Sequence, residues 1–285
     1  MAITARFGIE PIPPDANGDG SFSEGEYTLA ARRVVLAGAD NLSYSIAWNA
    51  FETSQGIYNT TTLGWLAAAR STAKLQVTIA VLDYVGNKNL PTYLVGNALD
   101  ASAVTTAMRG VIDRLYTLLG AEGLDILALG NEVEAYLATH ASEITPFANL
   151  IADAKTYATA KAGWSNVKVT ASFKHSVRAS VPTTYNAIRT ACSYPAFTYY
   201  PINGDYTVQY TNAATIGASM FTDLLALPTA VGGTVILEQI FVIPGMGLLL
   251  LEAVAGPELV GEAYAAAVRE GYLWHEFGDS MLLLP

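Results

Sequence analysis

The chain has 285 residues, 52% hydrophobic and 14% charged, and carries a formal net charge of −10 with only 15 Lys and Arg. That acid excess repels phosphate backbones and anionic membrane surfaces, so nucleic acid is not an expected partner. Cys192 is the only cysteine, which excludes an internal disulfide and a cysteine-based zinc site, and no run of about 18 apolar residues offers a membrane span.

The first β-rich run, ARFGIE at 5–10, leads into DANGDGSFSEGE at 15–26. The spacing matches a twelve-residue calcium loop: Asp15, Asn17 and Asp19 supply oxygens, Gly20 turns the chain, and Ser21 gives its carbonyl. Ser23 and a bidentate Glu26 complete the shell. FGIEPIPP precedes the loop, so only the exiting helix, 25–37, is available, and an isolated structural Ca2+ is expected. The plainer alternative is a metal-free acidic turn capping that helix.

Six further runs follow at 42–48 (LSYSIAW), 74–83 (KLQVTIAVLD), 124–130 (LDILALG), 167–173 (VKVTASF), 196–200 (AFTYY) and 234–238 (TVILE), and an eighth at 271–277 (GYLWHEF). Helical patterns lie at 63–72, 146–161, 212–227 and 257–269. A better one lies between the third and fourth runs, where Val104, Met108, Val111, Ile112, Leu115 and Leu119 form one stripe. Strands alternating with helices predict a parallel sheet, and eight such units predict an α/β fold: one (β/α)8 TIM barrel over 1–285. No linker divides the chain. It stops at Pro285, so the final helix is expected to be absent.

A TIM-barrel site lies at the C-terminal ends of the strands. The residues there are Glu10, Trp48 with Asn49, Asp83, Asn131 with Glu132, Lys174 with His175, Tyr199 with Tyr200, Glu238, and Trp274 with His275. Carboxylates, amides and aromatics together suit a sugar, whose hydroxyls need polar partners and whose ring faces need apolar cover. Trp48, Asp83 and His175 are candidate substrate contacts. Glu132 and Glu238, at the ends of the fourth and seventh strands, can meet across a barrel mouth. Glycoside hydrolysis with retention needs such a pair, about 5 to 5.5 Å apart. Taken singly, Glu132 could be an ordinary acidic helix start and Glu238 a salt-bridge partner of Arg178 or Lys174.

LGNEVEAYL, FTYYPIN and VILEQIFVIPG resemble the fourth-, sixth- and seventh-strand motifs of glycoside hydrolase clan A, a group of retaining barrel enzymes that includes cellulases, mannanases and endo-β-1,4-galactanases. YSIAWNAFETSQGIYN is similar to second-strand segments of such barrels. The resemblance implies Glu132 as general acid/base, Glu238 as nucleophile, and Asn131 as the ligand of the sugar 2-hydroxyl. It further implies that Tyr199 or Tyr200 hydrogen-bonds the nucleophile and that Trp274 forms the aromatic platform of the −1 subsite. The relatives follow their nucleophile with Gly, an aromatic residue and Pro, whereas here Gln239 to Pro244 follow.

The expected function is therefore a retaining β-glycosidase acting on an oligo- or polysaccharide, monomeric and secreted or held in the cell envelope. The alternative is a calcium-stabilised carbohydrate-binding barrel without turnover. GDSM at 278–281 resembles the start of certain esterases, but it stands too near the end of the chain for that role. The three histidines lack a metal-binding spacing, and no phosphate-binding Gly-rich loop is present.

Overall fold

The computed structural model describes residues 8–9, 23–36, 41–174, 180–194, 196–199 and 236–240, with backbone alone for 8–9, 199 and 236–240. Its elements run β1 (Gly8–Ile9), α1 (Glu24–Leu36), β2 (Asn41–Ala47), α2 (Trp48–Phe51), β3 (Glu52–Ser54), β4 (Ile57–Tyr58), α3 (Thr60–Arg70) and β5 (Lys74–Leu82). Then come α4 (Ser102–Leu119), β6 (Leu124–Gly130), α5 (Glu134–Leu137), α6 (Ile144–Thr159), β7 (Lys168–Thr170), β8 (Ser172–Lys174), α7 (Pro182–Ala191), β9 (Ala196–Tyr199) and β10 (Ile236–Ile240).

One sheet has the order β1-β2-β5-β6-β7 and a second the order β10-β9-β8, all parallel; β3 and β4 form a separate antiparallel hairpin. Only Ala171 separates β7 from β8, so seven of the eight expected runs follow one another in chain order as parallel neighbours. The eighth run and the helices expected at 212–227 and 257–269 lie outside the described residues.

The reason for this order is visible in β5. All its residues after Lys74 are buried, because a central parallel strand is covered on both faces and therefore reads as a near-continuous apolar run. Its outer cover is α4, whose buried residues are the six of the sequence stripe. Gly120 closes that helix at φ 72°, a left-handed stop that glycine adopts without strain. α3 starts at Asn59, whose side chain accepts a hydrogen bond from Thr62 N at 3.1 Å. α7 was not expected from the sequence; Thr184, Tyr185 and Ile188 pack it inward.

Candidate active site

At the end of β6 the chain turns sharply. A Cβ on Gly130 would lie 2.5 Å from Val133 Cγ1 and 3.0 Å from Leu82 O, so only glycine lets the strand pass there. Asn131 N donates to Leu82 O at 3.1 Å, and Glu132 follows at φ 51°. A non-glycine residue in the left-handed region costs on the order of 1–3 kcal/mol and persists only where its surroundings enforce it.

Those surroundings are two hydroxyls from neighbouring strands. Ser172 Oγ on β8 accepts from Glu132 N at 3.3 Å and donates to Asn131 Oδ1 at 3.0 Å, while its carbonyl accepts from Val133 N at 3.1 Å. Thr198 Oγ1 on β9 donates a short hydrogen bond to Glu132 Oε1. Asn131, Glu132, Ser172 and Thr198 are all buried. Sequence reading singled out the first two and missed both hydroxyl residues.

Glu238 approaches from the other edge of β9. The β9–β10 register runs Leu237 to Phe197 and then Gln239 to Thr198, so Glu238 is the extra residue of a bulge beside Thr198. Bulges re-aim the chain locally and are frequent next to active sites. The strand that holds Glu132 is thus the strand against which Glu238 is set. Tyr199 pairs with Ile240 by backbone; its side chain, that of Glu238, and His175, Tyr200 and Trp274 lie outside the described residues.

A second carboxylate beside Glu132 escaped sequence reading. Glu134, at the first turn of α5, is buried; its one carboxylate oxygen accepts from Lys174 N at 3.2 Å and the other, Oε2, has no hydrogen-bond partner among the described residues. Burial pushes its pKa up to about 7, and the neighbouring Glu132 charge adds to the rise against the hydrogen bonds that oppose it.

Two expected substrate contacts are occupied elsewhere. Trp48 is fully buried and donates its Nε1–H to Glu52 Oε2 at 2.9 Å, because α2 folds it into the core. The buried Glu52 also accepts from Gly56 N and Tyr93 OH, which ties the β3–β4 hairpin to the connection that follows β5. Asp83 is taken up by its own loop: its carboxylate accepts from Val85 N, Asn87 N, Asn87 Nδ2 and Asn89 Nδ2 at 2.9 to 3.0 Å. Burial alone would raise its pKa, but these bonds outweigh it and hold the pKa below the usual carboxylate value.

Of the calcium loop, Ser23 and Glu26 are described, while Asp15, Asn17, Asp19 and Ser21 lie outside the described residues. Ser23 N and Oγ donate to Glu26 Oε2 at 2.7 and 2.8 Å, and Glu26 N donates to Ser23 Oγ at 3.2 Å. That reciprocal pair is a capping box at the start of α1.

Comparison with solved structures identifies the architecture. An exo-β-1,4-mannosidase from Opitutaceae bacterium strain TAV5 superposes with a TM-score of 0.64 at 16% identity, covering 92% of this chain and 50% of its own. A GH5_18 protein from Bifidobacterium longum, solved in complex with Manb1-4GlcNAc, gives 0.57 at 12% identity over 78% of this chain and 57% of its own. A β-glycosidase gives 0.55 at 11%, covering 87% and 74%. The chain shares with these proteins an α/β fold built on parallel strands. It spans about half the length of the mannosidase, and at these identities the likeness concerns fold alone.

A different resemblance covers the C-terminal segment. Residues 241–283 match the family described as "Queuosine biosynthesis protein". A stretch of 37 residues is 54% identical to the S-adenosylmethionine:tRNA ribosyltransferase-isomerase of Moorella thermoacetica, covering 13% of this chain and 11% of that enzyme. Trp274, GDSM and the helix expected at 257–269 fall inside residues 241–283. Among the described residues, no helix is long and apolar enough to cross a membrane.

Proposed function

We propose that the protein is a retaining β-glycoside hydrolase acting on an oligo- or polysaccharide, with Glu132 as general acid/base and Glu238 as nucleophile. The observation that carries this reading is Glu132 itself: a buried carboxylate in a strained left-handed conformation, fixed by hydroxyls from two strands, one of which carries the Glu238 bulge on its other side.

The chemistry follows from the donors. Thr198 donates to Oε1 of Glu132, which leaves Oε2 to carry the proton. That proton passes to the glycosidic oxygen as Glu238 attacks the anomeric carbon, the C–O bond breaks, and the sugar becomes an ester of Glu238. Glu132, now anionic, removes a proton from water as the water attacks the same carbon and returns Glu238 to its carboxylate. Ser172 occupies Asn131 Oδ1, so the amide nitrogen of Asn131 is the end available to a sugar hydroxyl.

The names of the structural neighbours, an exo-β-1,4-mannosidase and a protein holding Manb1-4GlcNAc, make β-mannosides the first substrates to try. The test is hydrolysis of aryl β-glycosides and β-linked oligosaccharides by the whole chain. Glu238→Ala should abolish turnover and external azide should restore it as a glycosyl azide; undiminished hydrolysis by that variant excludes Glu238 as the nucleophile.

A second reading, a carbohydrate-binding barrel without turnover, is favoured by one observation: the sequence from residue 241 onward, just past Glu238, matches a different family. It predicts glycan binding with no product. A structural Ca2+ held by Asp15, Asn17, Asp19, Ser21, Ser23 and Glu26 belongs to either reading and is supported by an all-oxygen donor set. Binding would exchange the Glu26 cap for the ion. Calcium should raise the Tm relative to a chelator, and Glu26→Gln should remove the difference.

A further inference from the structure

The connection from β5 to α4 is built to hold a short apolar tip still. Besides the four bonds accepted by the Asp83 carboxylate, Asp83 N donates to Asn87 O at 3.2 Å, Gly86 N to Asp83 O at 3.0 Å, and Asn89 N to Val81 O at 2.8 Å. Lys88 then pairs with Glu143 at 2.8 Å, tying the connection to the one that follows β6. The side chains this scaffold presents are apolar: Tyr84 is 64% exposed and Val85 66%.

Four of the six large hydrophobic residues exposed among the described residues, Ile57, Tyr84, Val85 and Val95, lie on connections that leave the C-terminal ends of β2 and β5. The other two lie on α1. Exposed apolar side chains gathered on one face mark a binding surface. The tip also adjoins the acid/base segment: Gly86, at φ 90°, turns so close to Ala135 that a Cβ there would lie 3.6 Å from its carbonyl oxygen. Ala135 is three residues past Glu132.

We propose that Tyr84 is the aromatic face of an outer sugar subsite on the leaving-group side of Glu132. The assignment rests on the glycosidase reading. A general acid protonates the oxygen of the departing sugar, so a loop that touches the acid's segment borders the side of the cleft where that sugar leaves. Tyrosine suits the task because its ring covers the apolar C–H face of a pyranose while its hydroxyl stays wet. The locked loop means that little side-chain and loop freedom is lost on binding.

The experiment compares wild type, Tyr84→Ala, Tyr84→Leu and Tyr84→Phe, each checked for its Tm, on p-nitrophenyl β-mannoside, β-1,4-mannobiose and β-1,4-mannotriose. Alanine and leucine should raise KM or Kd for mannotriose about tenfold more than for the aryl glycoside, and phenylalanine should stay within about twofold of wild type. A uniform effect on all three probes, or none, overturns the subsite and leaves the glycosidase reading intact. Neither binding nor hydrolysis of any β-linked probe by wild type overturns both.

Discussion

Thr198 is fully buried, and its hydroxyl is given to Glu132 Oε1. Thr198→Val keeps the shape and removes the donor, leaving a buried carboxylate oxygen unsatisfied at a cost of about 1–3 kcal/mol. If Glu132 is the acid, the loss should fall on protonation of the leaving group. Turnover should drop more for sugars with poor leaving groups than for activated aryl glycosides, and Thr198→Ser should restore it. A leaving-group series with each variant checks this; equal losses across the series would reduce Thr198 to a structural role. At this scale the sequence was only half legible. NE after an apolar run announces a buried polar pair, but nothing in SFK or FTY announces that one hydroxyl from each would hold it. Trp48 shows a related limit of the letters: a strand end gives position and not direction, and α2 turns the ring inward. Asp83 carried a readable signal, since Asp ahead of a Gly-Asn pair commonly accepts its own turn's N–H groups.

Among the elements, the parallel strands were the most legible, because burial on both faces leaves near-continuous apolar letters such as IAVL in β5. α4 was equally plain from its stripe. α7 was not, since one of its three buried positions is a threonine and the helix begins on Pro182. The β6–α5 junction depends on Gly130 more than its sequence suggests. Gly130→Ala forces a methyl into Val133 and the Leu82 carbonyl, and should cost about 1–3 kcal/mol in chemical denaturation while also displacing Asn131 and Glu132. A variant of wild-type stability would show that the junction relaxes freely. In α4, Met108→Ala removes a fully buried side chain and should cost about 2–5 kcal/mol by the same measurement.

For the molecule as a whole, seven parallel strands in chain order were foreseeable, whereas the second resemblance over 241–283 was not, because helix- and strand-like periodicity looks the same whichever family supplies it. The response of the molecule to pH is set in part by Glu134. Its pKa is pushed from 4.5 to about 7 by burial, so the folded state holds a proton that the unfolded chain releases. Below about pH 4.5 both states are protonated and the group contributes no slope; as pH rises from there to about 7, stability falls, and above 7 the cost is fully present. The shift sets a ceiling of about 3 kcal/mol. Glu134→Gln keeps the acceptor for Lys174 N and removes the charge, so its advantage over wild type should be small at pH 4.5 and grow toward pH 8. Denaturation at those two pH values decides the matter: a constant difference would mean that Glu134 reaches solvent or a cation when it ionises, and that the oxygen without a partner among the described residues costs no stability.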